Sequence, residues 1–193
     1  MTRRPLLPLL AALLALLVPM GALRAANHAA SEAGLPRLVI LVRHAEKAAE
    51  PPKDPPLTPA GEERARALAL ALKDAGVTAI VTSDARRTRA TAEPLARDRH
   101  LTPTVVAVGG GGLDDHVAAV AAEVRRHAGG IVLVVGHSDT IPSIIAALGG
   151  PRLPDIPHTE FGHLFVLAPE AGGGARLVQA AYGAPDPRSV SEE

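Results

Sequence analysis

Apolar residues follow two rhythms along this chain. Short unbroken runs of aliphatic and β-branched residues at 38–42, 77–81, 103–108 and 131–135 read as strands. Between them, apolar positions recur every three or four residues, as Ala65, Leu68, Ala69 and Leu72 do. That spacing predicts helices over 59–76, 86–97, 113–127 and 141–148. The first helix carries its own punctuation: Thr58 as N-cap, Pro59 at the first helical position, Glu62 and Glu63 in the first turn, and Gly76 as the stop. Pro94 is expected to disturb the ladder of the second helix. The run 131–135 is apolar throughout, the signature of a strand covered on both faces. Two further runs, 164–167 and 177–181, flank Gly172, Gly173 and Gly174 and read as a closing hairpin. Strands alternating with helices predict an α/β fold, a three-layer α/β/α sandwich whose mostly parallel sheet ends in a C-terminal hairpin.

The first 26 residues follow a different pattern. Arg3 and Arg4 are followed by an apolar stretch at 6–18, broken by Pro8, and then by small residues at 22–30. This is the layout of a signal peptide, with cleavage expected after Ala25 or Ala26. The apolar run is shorter than the roughly 20 residues a membrane span requires, so no stable membrane insertion is expected after cleavage. The organisation read from the chain is a signal peptide at 1–26, a lead-in at 27–37, one domain at 38–183 and a tail at 184–193. The mature protein is expected outside the cytoplasm, periplasmic or secreted. Composition narrows the function classes. A net charge of zero with 2% aromatic residues argues against nucleic acid as partner. The absence of cysteine excludes disulfides, thiolate catalysis and zinc–thiolate sites. Oligomeric state is left open.

Candidate chemistry collects where the strands end. The first apolar run stops at Arg43-His44, the second at Thr82-Ser83-Asp84 before Arg86, Arg87 and Arg89, and the fourth at Gly136-His137-Ser138. Sites in open α/β sheets lie beyond the carboxyl ends of the strands. Two histidines and at least two arginines gathered there suit a phosphoryl group, whose transfer depends on positioning and electrostatic stabilisation. No metal site is expected: His158, Glu160 and His163 lack a ligand spacing with precedent.

Four blocks in order carry a family resemblance. They are Leu41-Val42-Arg43-His44-Ala45-Glu46-Lys47, Pro56-Leu57-Thr58-Pro59-Ala60-Gly61, the segment from Thr82 through Arg87 and Thr91 to Ala92, and Val135-Gly136-His137-Ser138-Asp139-Thr140. Over about residues 38–183 the chain resembles the histidine phosphatase superfamily, with its phosphoglycerate mutase-like fold. Ala45 followed by Glu46-Lys47 resembles the small phosphohistidine-phosphatase-like and secreted branches more than the mutases. The resemblance implies a phosphomonoester hydrolase that needs no cofactor or metal and acts on a phosphorylated small molecule or envelope component. It implies His44 as the nucleophile, Arg43 and Arg87 as phosphate ligands, His137 as the second pocket histidine, and Ser138 as a further donor. Arg87 is taken ahead of Arg86 and Arg89 because it lies four residues from both Ser83 and Thr91. Asp114 or Asp115 is the candidate general acid, the alternative being that both cap a helix. Other functions compatible with the blocks are a protein phosphohistidine phosphatase, a mutase-type phosphotransferase, and a non-catalytic phosphate-binding envelope protein.

Overall fold

The computed structural model describes residues 34–186, so the expected signal peptide and most of the tail lie outside the described residues. Six strands form one sheet: β1 Leu38–Arg43, β2 Ala79–Thr82, β3 Thr104–Val105, β4 Ile131–Gly136, β5 His163–Pro169 and β6 Ala175–Ala181. Four helices connect them: α1 Pro59–Ala71, α2 Arg86–Asp98, α3 Gly112–Arg125 and α4 Thr140–Ala147. The strand order is β3-β2-β4-β1-β5-β6. The first four strands in that order are parallel; β5 pairs antiparallel with β1, and β6 antiparallel with β5.

Period-two alternation divides the core into two layers. Val39 and Leu41 of β1 pack with Val132 and Val134 of β4 on one face, under Val120 and Val124 of α3 and Ile144 and Ile145 of α4. Ile40 and Val42 pack with Leu133 and Val135 on the other, under Leu68 of α1 and Ala92 and Leu95 of α2. All six residues of β4 are buried, as its sequence predicts. This central strand separates β1 from β2. The insertion sets Arg43 opposite Gly136 and Thr82 opposite Val135 in register, so three strand ends emerge side by side.

The outer elements differ from the sequence expectation. The strand expected at 103–108 is reduced to two residues. As an edge strand, β3 has only β2 to pair with, and β2 ends at Thr82. Beyond Val105 the chain peels over the carboxyl edge of the sheet, where the Asp84 carboxylate accepts a hydrogen bond from the Val108 amide at 3.2 Å. The first helix closes at Ala71, five residues before Gly76, and the connection turns back at Gly76 with a φ of 71°. Pro94 lies within α2, and the helix runs through it to Asp98.

Candidate active site

β1 delivers Arg43 and His44 to the carboxyl edge of the sheet, and the backbone there ties β1 to β4. The His44 amide donates to the Gly136 carbonyl at 2.9 Å, continuing the β1–β4 ladder by one rung. The ring of His44 is buried, and its Nδ1 lies 2.8 Å from the Ala45 carbonyl. A carbonyl only accepts, so Nδ1 carries the proton and Nε2 holds the lone pair. Nε2 has no hydrogen-bond partner among the described residues, and the side chain lines a cavity of about 980 Å³. Burial pushes the His44 pKa down to about 3, against the opposing Ala45 hydrogen bond. The ring is therefore neutral at physiological pH with a nitrogen lone pair facing the cavity.

His137 faces it from the end of β4. The two rings stand 5.5 Å apart between centroids, at 67° to one another. Arg87 donates to His137 Nδ1 at 3.3 Å, and guanidinium groups only donate, so the proton of His137 sits on Nε2. That Nε2–H donates to Ser83 Oγ at 3.0 Å. The hydroxyls of Ser83 and Thr88 lie 2.9 Å apart, and Thr88 Oγ1 donates to the Ala85 carbonyl at 2.8 Å. The backbone amide of His137 is held by Thr140 Oγ1 at 2.8 Å. Burial, then the neighbouring Arg87, holds the His137 pKa at about 4.

Arg43 is anchored differently. Its Nη1 donates to the carbonyls of Pro157 and Glu160, each at 2.8 Å, and its guanidinium lies 4.2 Å above the Phe161 ring. The Nε atoms of Arg43 and Arg87 are both buried without a partner among the described residues. The segment that holds Arg43 is itself fastened from below. The Asp186 carboxylate accepts from the amides of Phe161 and Gly162, and pairs with Arg64 at 3.1 Å. Arg64, buried in α1, also pairs with Glu46 at 2.8 Å, two residues beyond His44. One buried guanidinium thus ties the segment that carries Arg43 and His44 to the segment that holds the Arg43 side chain.

The structure brings Arg43, His44, Arg87, His137 and Ser138 around the one cavity. Ser138 presents a hydroxyl that makes no hydrogen bond with the described residues, while its carbonyl accepts from the Ile156 amide. Arg86 lines the outer cavity, and Arg89 is exposed on the far side of α2. The two candidate acids, Asp114 and Asp115, are both exposed and neither lines the cavity. The reason is helical periodicity. Leu113 and His116, three residues apart on α3, form its cavity face, which turns the two aspartates between them away. The Asp115 carboxylate lies against Gly111 at the start of the helix, where an added Cβ would stand 1.8 Å from its Oδ2. Among the described residues, no group of three metal-ligating side chains is assembled.

Sequence reasoning passed over His116, Ser83, Thr88 and Phe161. The stripe Val117, Val120 and Val124 shows which face of α3 is buried, and His116 lies on it. Ser83 stood in the quoted blocks, with its tie to His137 still undrawn. Phe161 meets Arg43 only through the β4–α4–β5 connection and left no signal.

Residues 39–107 match the sequence profile of the histidine phosphatase superfamily (branch 1). That segment carries Arg43, His44, Ser83 and Arg87; His137 joins them in space from outside it. No curated protein matches the chain in sequence. Among solved structures, the protein histidine phosphatase SixA complexed with tungstate superposes with a TM-score of 0.59 at 20% identity, over 75% of this chain and 96% of that one. A putative phosphohistidine phosphatase SixA from Nakamurella multipartitia is 29% identical, with a TM-score of 0.54, over 77% of this chain and 97% of that one. A mycobacterial glucosyl-3-phosphoglycerate phosphatase is 20% identical, with a TM-score of 0.56, over 77% and 99%. By its profile match over residues 39–107 and its shared fold, the chain is similar to phosphatases of the histidine phosphatase superfamily, the small SixA-like members among them.

Proposed function

We propose that this protein hydrolyses phosphate monoesters through a phosphohistidine formed on His44. The observation that carries the reading is the state of that ring: neutral, its proton committed to the Ala45 carbonyl, its Nε2 left for the cavity. In the first step the Nε2 lone pair forms a bond to phosphorus and the ester P–O bond breaks, its electron pair leaving with the oxygen. Arg43 and Arg87 spread the charge of the phosphoryl oxygens through charge-assisted hydrogen bonds. An incoming phosphate oxygen is a better acceptor for Arg87 than the His137 nitrogen it reaches at 3.3 Å. Released from Arg87, and beside a dianion, His137 takes up a proton and becomes a further donor. Water then attacks phosphorus, the P–N bond breaks, and His44 regains its lone pair.

The cavity suits a small phosphoester with room to spare, and its outer wall carries Lys47, Lys53 and Arg86. A second reading, hydrolysis of phosphohistidine on proteins, is favoured by one observation: Asp114 and Asp115 are turned away, and imidazole departs with less help than an alkoxide. The arginine pair and leucine run at the N-terminus support action outside the cytoplasm, which N-terminal sequencing of the native protein tests.

The deciding experiment is hydrolysis of nitrophenyl phosphate by the purified protein with chelator present. Wild type turns over, His44→Ala does not, and quenching in alkaline detergent traps an acid-labile, alkali-stable phosphoenzyme in the wild type alone. Turnover that survives His44→Ala, or that chelator abolishes, overturns the proposal.

A further inference from the structure

The leaving oxygen of an alkyl phosphate needs a proton, and the two aspartates considered for that task face away from the cavity. Three other carboxylates line it, each already engaged. Asp54 accepts from the Arg86 amide at 3.0 Å, Asp84 from the Val108 amide at 3.2 Å, and Asp139 from the Thr140 amide at 2.8 Å. Each is thus held as an acceptor by a backbone amide. Two cavity-lining histidines have no part in the steps derived above: His158, which is exposed and has no side-chain hydrogen bond to the described residues, and His116, which is buried and held by the wall.

His116 is 3% exposed, yet it lines the cavity. Its Nδ1 lies 3.3 Å from the Ala107 carbonyl and must be the donor in that contact, which fixes the ring's orientation. Its Nε2 has no hydrogen-bond partner among the described residues, and the side chain lines the cavity. It stands close enough to His137 for a charge on it to disfavour protonation of that ring. The segment holding Ala107 is pinned in turn by the Asp84–Val108 contact, so the wall that orients His116 belongs to the same strand-edge assembly as the nucleophile.

We propose that His116, through Nε2, is the proton donor to the leaving oxygen and the proton acceptor from the attacking water. The proposal rests on the phosphohistidine reading above. As the His44 N–P bond forms and the ester P–O bond breaks, the leaving oxygen takes the Nε2 proton of the His116 imidazolium and departs as an alcohol. The neutral ring then accepts a proton from water as that water attacks phosphorus and the P–N bond breaks. Phosphate leaves and His116 is protonated again, so the cycle closes without another reactant. The choice of a histidine on a helix wall, in place of a carboxyl group, also defines the substrate class: alkyl phosphates, whose leaving groups require this proton.

The test is a leaving-group series, from nitrophenyl phosphate to alkyl phosphates, measured as kcat/KM on wild type, His116→Gln and His116→Asn. With the donor removed, alkyl phosphates lose about 10²-fold or more, while nitrophenyl phosphate changes by less than about tenfold. The plot of log kcat/KM against leaving-group pKa therefore steepens. Asp114→Asn and Asp115→Asn keep the wild-type slope. A loss equal across the series, or none, overturns the assignment, because a residue that only supports the wall affects all substrates alike. If neither variant folds, the imidazole 15N resonances of the wild type decide. Inorganic phosphate in the cavity then shifts Nε2 of His116 toward the protonated position, and an unmoved resonance overturns the proposal. The underlying reading fails separately: it falls, and this inference with it, if His44→Ala retains turnover.

Discussion

Gly61→Ala sets a local preference against a packing constraint, and the structure says which prevails. Gly61 is the third residue of α1, where alanine is favoured over glycine by about 1 kcal/mol. Propensity alone predicts a more stable protein. An ideal Cβ at this position, however, lies 2.2 Å from the Glu46 carbonyl oxygen and 3.1 Å from its carbonyl carbon and its amide nitrogen. Ordinary contact begins at 3.4 Å, so one backbone must retreat from the other by about 1 Å. Neither can do so at little cost. Thr58 donates its amide to the same Glu46 carbonyl at 2.9 Å, and the Glu46 side chain is held by Arg64. Overpacking of this kind costs about 1–3 kcal/mol, and against backbone it belongs at the upper end. The net expectation is a loss of about 2 kcal/mol, or a fall of about 5 °C in Tm for a domain of this size. The displaced carbonyl is two residues from His44, and Ala45 between them holds the His44 proton. A misplacement of about 1 Å at the reacting group costs about 10²-fold in rate. Thermal melting and kcat/KM on nitrophenyl phosphate read the two effects together. A higher Tm with full activity would refute the packing argument, and a lower Tm with full activity would refute the coupling to His44.

Two further outcomes follow from the same geometry. Arg64→Met leaves Glu46 and Asp186 without their buried partner and should cost about 3–5 kcal/mol, read as a lower urea midpoint; a midpoint unchanged from wild type would show that Arg64 is not the tie between the two segments. The pKa values of His44 and His137, lowered from 6.5 to about 3 and about 4, mean that the unfolded chain binds protons the folded state refuses. Stability from this source is complete above about pH 6.5 and is lost as pH falls toward 4, so Tm should drop between pH 7 and pH 5, and drop less in the double variant His44→Asn, His137→Asn; equal drops in the two proteins would remove these rings as the cause.

Sequence periodicity determined the fold class and nearly every element of this protein, because β1, β4 and the apolar stripes of the helices are patterned by burial on one or both faces, and that pattern is written locally. The arginines and histidines at the strand ends were legible for the same reason: an apolar run that stops at Arg43-His44 or Gly136-His137 marks the edge of a sheet. What the linear order could not contain was adjacency. Only the insertion of β4 between β1 and β2 sets Arg43 beside Gly136, and so His44 beside His137. The short β3 followed from its place at the sheet edge, where one partner strand ends early. The two aspartates after the glycine run were read from charge without helical phase; on α3 the cavity receives Leu113 and His116. The tie from Arg64 through Asp186 to the segment holding Arg43 joins residues about 120 positions apart. Hydrogen bonds over such separations form only after the chain has folded, and there tertiary structure alone decided the outcome.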